Sequence, residues 1–280
     1  MHYAIDIPNF GPWSDPRRVA TFARQVEEAG WDGLSVWDHI VFMDGAEVAD
    51  PWILLAAAAM ATDRLTLMNL VAPIPRRHPW KVARETVSID LLSSGRFILG
   101  VGIGWPTDPE FARFHQESDL RVRGDMLDEG LSVVTGLWSG EPFSFEGEHY
   151  TVDEVTFLPT PVQRPRIPIW IAGMWPGGRP FRRAARWDGV APIGFDGGEF
   201  TQIGPDEVTA IVSYVNRHRT SDGPFDVTVA GSWLANRDIA RSAARSLQTA
   251  GVTWLREAWD PRSGFGFDEW QRAILMGPPR

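Results

Sequence analysis

Eight times along this chain a short apolar run is followed by a stretch with helical spacing. That alternation constrains the fold more than any single motif. The runs are residues 3–7 (YAIDI), 33–37 (GLSVW), 65–73 (LTLMNLVAP), 96–102 (RFILGVG), 167–173 (IPIWIAG), 188–194 (DGVAPIG), 225–231 (FDVTVAG) and 252–259 (VTWLREAW). They are short and apolar, as parallel strands covered on both faces must be. Helices are expected over 15–30, 50–62, 79–95, 123–138, 179–187, 205–219, 238–251 and 267–275. The first has Asp15 as N-cap, Pro16 at its first position and Gly30 as stop, and 50–62 repeats the Asp-Pro start. Eight such units predict an α/β chain closed as a (β/α)8 TIM barrel, with residues 1–280 as one domain. The competing arrangement is an open doubly wound sheet, which the lack of a strong phosphate fingerprint after the first strand disfavours. Residues 104–122, after strand four, and 139–166, between helix four and strand five, exceed the repeat and read as insertions. The first belongs to the catalytic face, where loops after strands sit. Within the second, 142–152 alternates around an EGE turn and reads as a hairpin.

Composition narrows the function. The chain has no cysteine, so disulfides, thiolate metal sites and Cys nucleophiles are excluded. A cytoplasmic protein is the natural reading. The formal net charge of -9 and the lack of a long basic run argue against a nucleic-acid partner. The N-terminus MHYAIDIPNFG has no signal-peptide pattern, and WILLAAAAMA is about half the ~20 apolar residues of a membrane span, so no membrane partner is expected.

On the barrel layout, residues at strand ends face the mouth. Strand two ends in SVWDHIV, which places Asp38 and His39 there. Histidine exchanges a proton near neutral pH, and Asp38 either orients it or caps backbone amides; the bland alternative is a loop His with a capping Asp. Asn69 is polar inside an apolar strand and needs partners when buried, either a ligand or a neighbouring carbonyl. Arg76 and Arg77 follow, to hold an anion or to be solvated. In strand four, Gly100, Gly102 and Gly104 share one face; they leave room for bulky neighbours or for a ligand. They are not a dinucleotide fingerprint, because Trp105 and Pro106 lead into a loop. Strand five ends in WIAGMWPGGRP, where Gly173, Gly177 and Gly178 lead into a helix carrying Arg179, Arg182 and Arg183. Such a turn suits a phosphate, or is a tight turn before a basic helix face.

Other chemistries fit worse. Six scattered histidines form no H-x-H or H-E-x-x-H, so no metal centre is expected. Asp6 and Asp38 are candidate glycosidase acids, but strands five to seven offer none inside. No G-x-S-x-G elbow occurs. An apolar, glycine-lined, Trp-rich mouth suits a flat aromatic cofactor whose own ring performs the chemistry.

The stretches EEAGWDGLSVWDH, DPWILLAA, ARETVSIDLLSSGRFILGVGIGW and PIWIAG…AARWDGVAP, in this order and spacing, resemble the bacterial luciferase-like monooxygenase superfamily over roughly residues 3–195. The resemblance implies a TIM barrel with FMN or the deazaflavin F420 at its mouth. In the deazaflavin branch an Asp-His pair ends strand two, matched by Asp38 and His39. The same branch has a cis non-prolyl peptide in strand three. Its aligned bond here is Asn69–Leu70, followed by Val71 and Ala72. Gly102 and Gly104 would let the ring or its ribityl chain approach the backbone. The turn Ala172, Gly173, Met174, Trp175, Pro176, Gly177, Gly178 would hold the phosphate. Two departures bear on activity. Sugar-phosphate dehydrogenases of the superfamily carry a Glu where this chain has Trp105, and luciferases an Arg near there. The implied function is hydride transfer with F420 on a small organic substrate, with His39 on the ring or the reacting group and Asp38 fixing it. FMN-dependent monooxygenation with O2, fed by a flavin reductase, is the alternative; a non-catalytic flavin-binding protein is the alternative of another class. A homodimer through helices on one side is a further implication, with 50–62 as core or interface.

Overall fold

The computed structural model describes residues 1–42, 45–105, 109–196, 199–260 and 264–280. The first four strands and their helices follow the expected order: β1 (His2–Ile7), α1 (Pro16–Glu28), β2 (Gly33–Val36), α2 (Pro51–Ala61), β3 (Thr66–Pro73), α3 (Pro79–Leu92) and β4 (Phe97–Gly102). A short helix α4 (Pro109–Ala112) and a long α5 (Leu120–Trp138) come next. The hairpin is β5 (Pro142–Glu146) and β6 (Thr151–Thr156). The second half comprises β7 (Ile169–Trp175), α6 (Arg179–Ala184), β8 (Gly189–Asp196), β9 (Glu199–Thr201), α7 (Pro205–Asn216), β10 (Asp226–Gly231), α8 (Arg237–Ala250), β11 (Trp254–Ala258) and α9 (Phe267–Leu275).

Local chemistry sets the helix starts. Asp15 accepts from Arg17 N–H, and Asp50 from the N–H groups of Trp52 and Ile53, each followed by Pro at the first turn. The helix expected from 123 begins at Leu120 instead, because Asp119 caps it by accepting from the N–H groups of Arg121 and Val122.

The strands β1, β2, β3, β4, β7, β8, β10 and β11 pair in that order, all parallel, and β11 returns to β1. Pairing of Asp226 with Gly189 joins β10 to β8 and closes the ring. The result is a (β/α)8 barrel, not an open sheet. The hairpin β5–β6 lies between α5 and β7, its turn held by Glu129 of α5, which accepts from the N–H groups of Glu148 (2.9 Å), His149 (2.9 Å) and Tyr150 (3.2 Å). The hairpin's second strand runs on to Thr156, beyond the expected end. Neither α4 nor β9 was expected. Strand β9 has three residues, too few to show alternation, and pairs antiparallel with β8 through Phe195 and Phe200.

Alternation sorts the strand residues into two buried layers. Ala4, Met68, Leu70, Ile98, Trp170, Ala191 and Trp254 form one cluster inside the barrel. Leu34, Val36, Leu67, Leu99, Ile169, Val190, Val229 and Leu255 belong to the larger core between barrel and helices. Trp254 stacks on His2 at 4.5 Å and meets Trp170 edge-on at 5.9 Å, filling the N-terminal end of the interior.

A bulge in β3 accounts for the glycines of β4. Asn69 faces Leu99, but the next pair is Ala72 with Val101, so β3 spends one extra residue. The cis non-prolyl bond is Leu70–Val71, not the expected Asn69–Leu70. The two strands stay in register through Asn69, and the surplus residue falls after it. A side chain at Gly100 would overlap Leu70 and stand 2.7 Å from Asn69 O. One at Gly102 would stand 3.0 Å from Val71 Cγ1 and 3.7 Å from Ala172 Cβ. At Gly104, where φ is +81°, it would overlap Phe111. Gly100 and Gly104 therefore make room for protein neighbours, while Gly102 stands beside the bulge. Among the described residues no helix is long and apolar enough to cross a membrane.

Candidate active site

The mouth of the barrel is built from the loops that leave the strands. Asn9, fully buried after β1, ties two of them together. Its Nδ2 donates to the carbonyls of His39 (2.8 Å) and Ala49 (2.7 Å), and its Oδ1 accepts from His39 N–H at 3.1 Å. This fixes the backbone of His39, three residues past the end of β2.

Asp38 and His39 are adjacent, yet their side chains serve different partners. The Asp38 carboxylate, 5% exposed as a residue, accepts from Arg76 Nη2 at 2.8 Å and from Arg77 Nη2 at 2.7 and 2.8 Å. It therefore does not orient His39. Arg76 and Arg77 are neither solvated nor open to an anion at those nitrogens. Burial acts to lower the Arg77 pKa, but the adjacent Asp38 charge and hydrogen bond outweigh it and raise the value. The group facing His39 is Glu110, in α4. Its Oε1 lies 3.2 Å from His39 Nδ1 and accepts from the N–H groups of Ile40 and Val41, both at 2.9 Å, while Oε2 pairs with Arg76 Nη1. Glu110 is 1% exposed and the His39 side chain 29%, so a buried carboxylate backs an accessible imidazole. The insertion that carries Glu110 is braced by Arg123, which donates to the carbonyls of Glu117 (2.6 Å) and Trp105 (3.1 Å) and lies over the Phe111 ring.

Two aromatic groups border the mouth. Phe10 stacks on Phe42 at 3.9 Å, with His39 edge-on to Phe42 at 5.1 Å. On the β4–β8 side, Trp105 lies 5.3 Å from Phe195 and 4.6 Å from Phe200.

Asn69 does not join this site. It shares strand parity with Leu67, in the layer facing the helices, and pairs in register with Val36 and Leu99. It is fully buried, and neither amide atom has a partner among the described residues. Leu70 and Val71 form the bulge itself, with Ala72 resuming the ladder.

The glycine-rich segment also differs from expectation. Ala172, Gly173, Met174 and Trp175 continue β7 and pair with β8 as far as Trp175 with Gly194. Only Pro176, Gly177 and Gly178 remain as turn, and the Trp175–Pro176 bond that opens it is cis. A Cβ at Gly177 would stand 2.7 Å from Met174 O, and the Gly178 carbonyl accepts from Tyr214 Oη at 3.2 Å. Helix α6 has six residues, and Arg183 spends its charge on Asp128. Arg179 and Arg182 are exposed and form no ion pair among the described residues.

Another buried acid lies in the layer between barrel and helices. Glu257 of β11 accepts from Trp233 N–H at 2.8 Å and Trp270 Nε1 at 3.0 Å. Burial pushes its carboxyl up to about 8, against the pull of those donors. Between about 4.5 and about 8 the folded chain holds a proton that the unfolded chain releases. Stability from this group is thus full below the lower value and is lost as pH rises through the window. Thermal melts of the wild type should fall from pH 5 to pH 8, with roughly 1 kcal/mol lost per pH unit. Glu257→Gln should flatten that slope and melt higher than the wild type at pH 8; parallel slopes would refute the assignment.

Among the described residues no group of three His, Asp or Glu side chains is placed to hold a metal ion.

The family model of luciferase-like monooxygenases matches residues 5–273. An uncharacterized protein of Mycobacterium tuberculosis (strain ATCC 25618 / H37Rv) is 31% identical over 253 residues, 82% of this chain and 81% of that one. The F420-dependent hydroxymycolic acid dehydrogenase of the same organism is 32% identical over 162 residues, 57% of this chain and 44% of the relative. The F420-dependent glucose-6-phosphate dehydrogenase of Kineococcus radiotolerans is 33% identical over 170 residues, 58% of this chain and 48% of the relative. The match thus spans about half the length of these two enzymes. Among solved structures, the F420-dependent tetrahydromethanopterin reductase from Methanopyrus kandleri superposes with a TM-score of 0.77 at 15% identity, covering 98% and 96% of the two chains. The FMN complex of the oxygenating constituent of 3,6-diketocamphane monooxygenase from Pseudomonas putida gives 0.76 at 15%, covering 99% and 96%. At those identities the likeness is one of fold.

Proposed function

Because the chain belongs to the luciferase-like monooxygenase family, we propose that it is an F420-dependent oxidoreductase that moves a hydride to or from a small organic substrate at the barrel mouth. The observation that carries this reading is the His39–Glu110 contact: an accessible imidazole backed by a buried carboxylate at the end of β2. The F420-dependent enzymes among its sequence relatives support the choice of cofactor. The residues present fit the group. The bulge of Leu70 and Val71, with Ala72 and Gly102 beside it, offers a glycine-relieved wall, and the exposed Arg179 and Arg182 suit an anionic tail next to Gly177 and Gly178. Ala172, Gly173, Met174 and Trp175 line the neighbouring strand end.

When bound, F420 supplies a hydride donor or acceptor at its deazaflavin ring. The chain supplies the rest. A hydride moved at carbon leaves a proton to be placed on, or taken from, the reacting oxygen. With Nδ1 against Glu110, His39 Nε2 is the nitrogen that handles that proton. Asp38 acts at one remove, holding Arg76 and Arg77 so that Arg76 in turn holds Glu110. The aromatic borders keep water from the hydride path.

Side-by-side titration of the apoprotein with F420 and FMN, followed by cofactor fluorescence, tests the reading. F420 is expected to bind and FMN to bind far more weakly, and Arg179→Gln with Arg182→Gln should weaken F420 binding and its salt dependence. Tight FMN binding alone would instead make the chain a flavin monooxygenase, and F420 binding without turnover a cofactor carrier. In either redox role a separate reductase or dehydrogenase refreshes the cofactor.

Residues 1–280 act as one domain in this reading, supported by the ring that β10 and β8 close. The chain also pairs with a second copy. Helices α2 and α3 pack together and leave Ile53, Met60, Leu91 and Leu92 exposed, at 57%, 73%, 42% and 40%. Sedimentation velocity should show a dimer that Met60→Asp shifts to monomer; a monomeric wild type would end this part of the proposal.

A further inference from the structure

A polar layer interrupts the apolar barrel interior. Asp6 and Arg256 stand two residues beyond the inward-facing Ala4 and Trp254, and so point the same way. The Asp6 carboxylate accepts from Arg256 Nη1 at 2.7 Å and from Ser35 Oγ, and Arg256 Nε donates to Thr228 Oγ1 at 3.0 Å. Asp6 is 4% exposed and Arg256 7%. A buried ion pair is weak evidence for stability, since an apolar pair of similar volume serves as well or better. Its presence in a barrel core asks for another reason.

The bonding is unequal. Both Asp6 oxygens are taken. Arg256 Nη2 has no protein partner among the described residues and is not among the fully buried atoms that lack one. It is therefore accessible. Trp254, one pleat below and stacked on His2, fills the N-terminal side. The open nitrogen is reached from the mouth. Charge narrows what it meets there. Asp6 already neutralises Arg256, so a carboxylate or phosphate would add uncompensated negative charge in a buried layer, whereas a neutral oxygen would satisfy the donor without one.

We infer that Arg256 is a specificity-determining residue, whose Nη2 donates a hydrogen bond to a neutral carbonyl or hydroxyl oxygen of the substrate. The site therefore selects oxygenated small molecules over hydrocarbons and over anions. The inference deepens the oxidoreductase reading and rests on the mouth being where substrate binds. It does not depend on which cofactor the mouth holds.

The test uses the full chain and 4-(dimethylamino)cinnamaldehyde, whose absorption moves to longer wavelength when its carbonyl accepts a strong hydrogen bond. Wild type should bind the probe and shift its absorption. Arg256→Met alone strands the Asp6 charge, so the deciding variant is Asp6→Asn with Arg256→Met, checked for folding by circular dichroism. It should lose the shift and bind the probe about ten- to a hundredfold more weakly, as expected for one hydrogen bond from a charged donor. Arg256→Lys should keep part of the shift. F420 titrated into the same proteins should bind the double variant as it binds the wild type. An unchanged shift in the double variant would overturn the inference, as would a wild type that fails to bind the probe. Lost F420 affinity in the double variant would overturn it too, because Arg256 would then hold cofactor. Failure of F420 to bind the wild type would remove the cofactor reading alone, and the probe would still decide the role of Arg256.

Discussion

Asp38→Ala is expected to destabilise the protein by about 3–5 kcal/mol, the range for removing one partner of a buried ion pair. The size follows from what stays behind. Arg76 and Arg77 have side chains only 2% and 16% exposed, and both bond the Asp38 carboxylate. Arg76 keeps Glu110, but Arg77 loses the partner that holds it charged against burial. Urea denaturation measures the effect as a drop in midpoint at constant slope. A change below about 1 kcal/mol would mean that water reaches the guanidinium groups and that the network is an exposed one.

His39→Ala should behave in the opposite way. The His39 side chain is 29% exposed, so its loss should cost little stability, while turnover with F420 should fall by about 10²–10⁴-fold, the usual contribution of a positioned acid or base. The pH profile separates two roles. If Nε2 moves a proton, the variant loses the limb that wild type shows near neutral pH. If the imidazole only positions the ring, His39→Gln restores most of the rate and the profile keeps its shape. Unchanged turnover in His39→Ala would remove the histidine from the mechanism. Comparison with Asp38→Ala is informative because the two residues are adjacent in sequence and belong to different networks.

How much of this was legible in the sequence depends on the distance over which each feature is decided. Helix starts at Asp15 and Asp50 are settled within three residues, and the alternation of eight units gives the barrel. The partners of the site are not local. Glu110 meets His39 across 71 positions, and Arg256 meets Asp6 across 250. Nothing near Glu110 in the sequence marks it, and Arg256 stands beside Glu257 in a short strand whose other residues are apolar, where the adjacent charges were the one available signal. Asn69 shows a different limit. Its polarity was visible, but a strand buried on both faces does not reveal which parity looks inward. Parity places it with Leu67, away from the mouth. The bulge moved the cis bond by one residue for the same kind of reason: register with β4, not the local run, decides where the surplus residue falls.

Glu110 gives the mouth a property that no single strand-end loop has. Its two oxygens bond the ring and backbone of the segment after β2 and the arginine after β3, from an insertion that follows β4. Three loops therefore share one carboxylate and cannot be exchanged piecemeal. Grafting the insertion from a relative without a matching acid would unseat the histidine and release the arginine together. Loop shuffling among these barrels should accordingly succeed only when the three segments travel as a set.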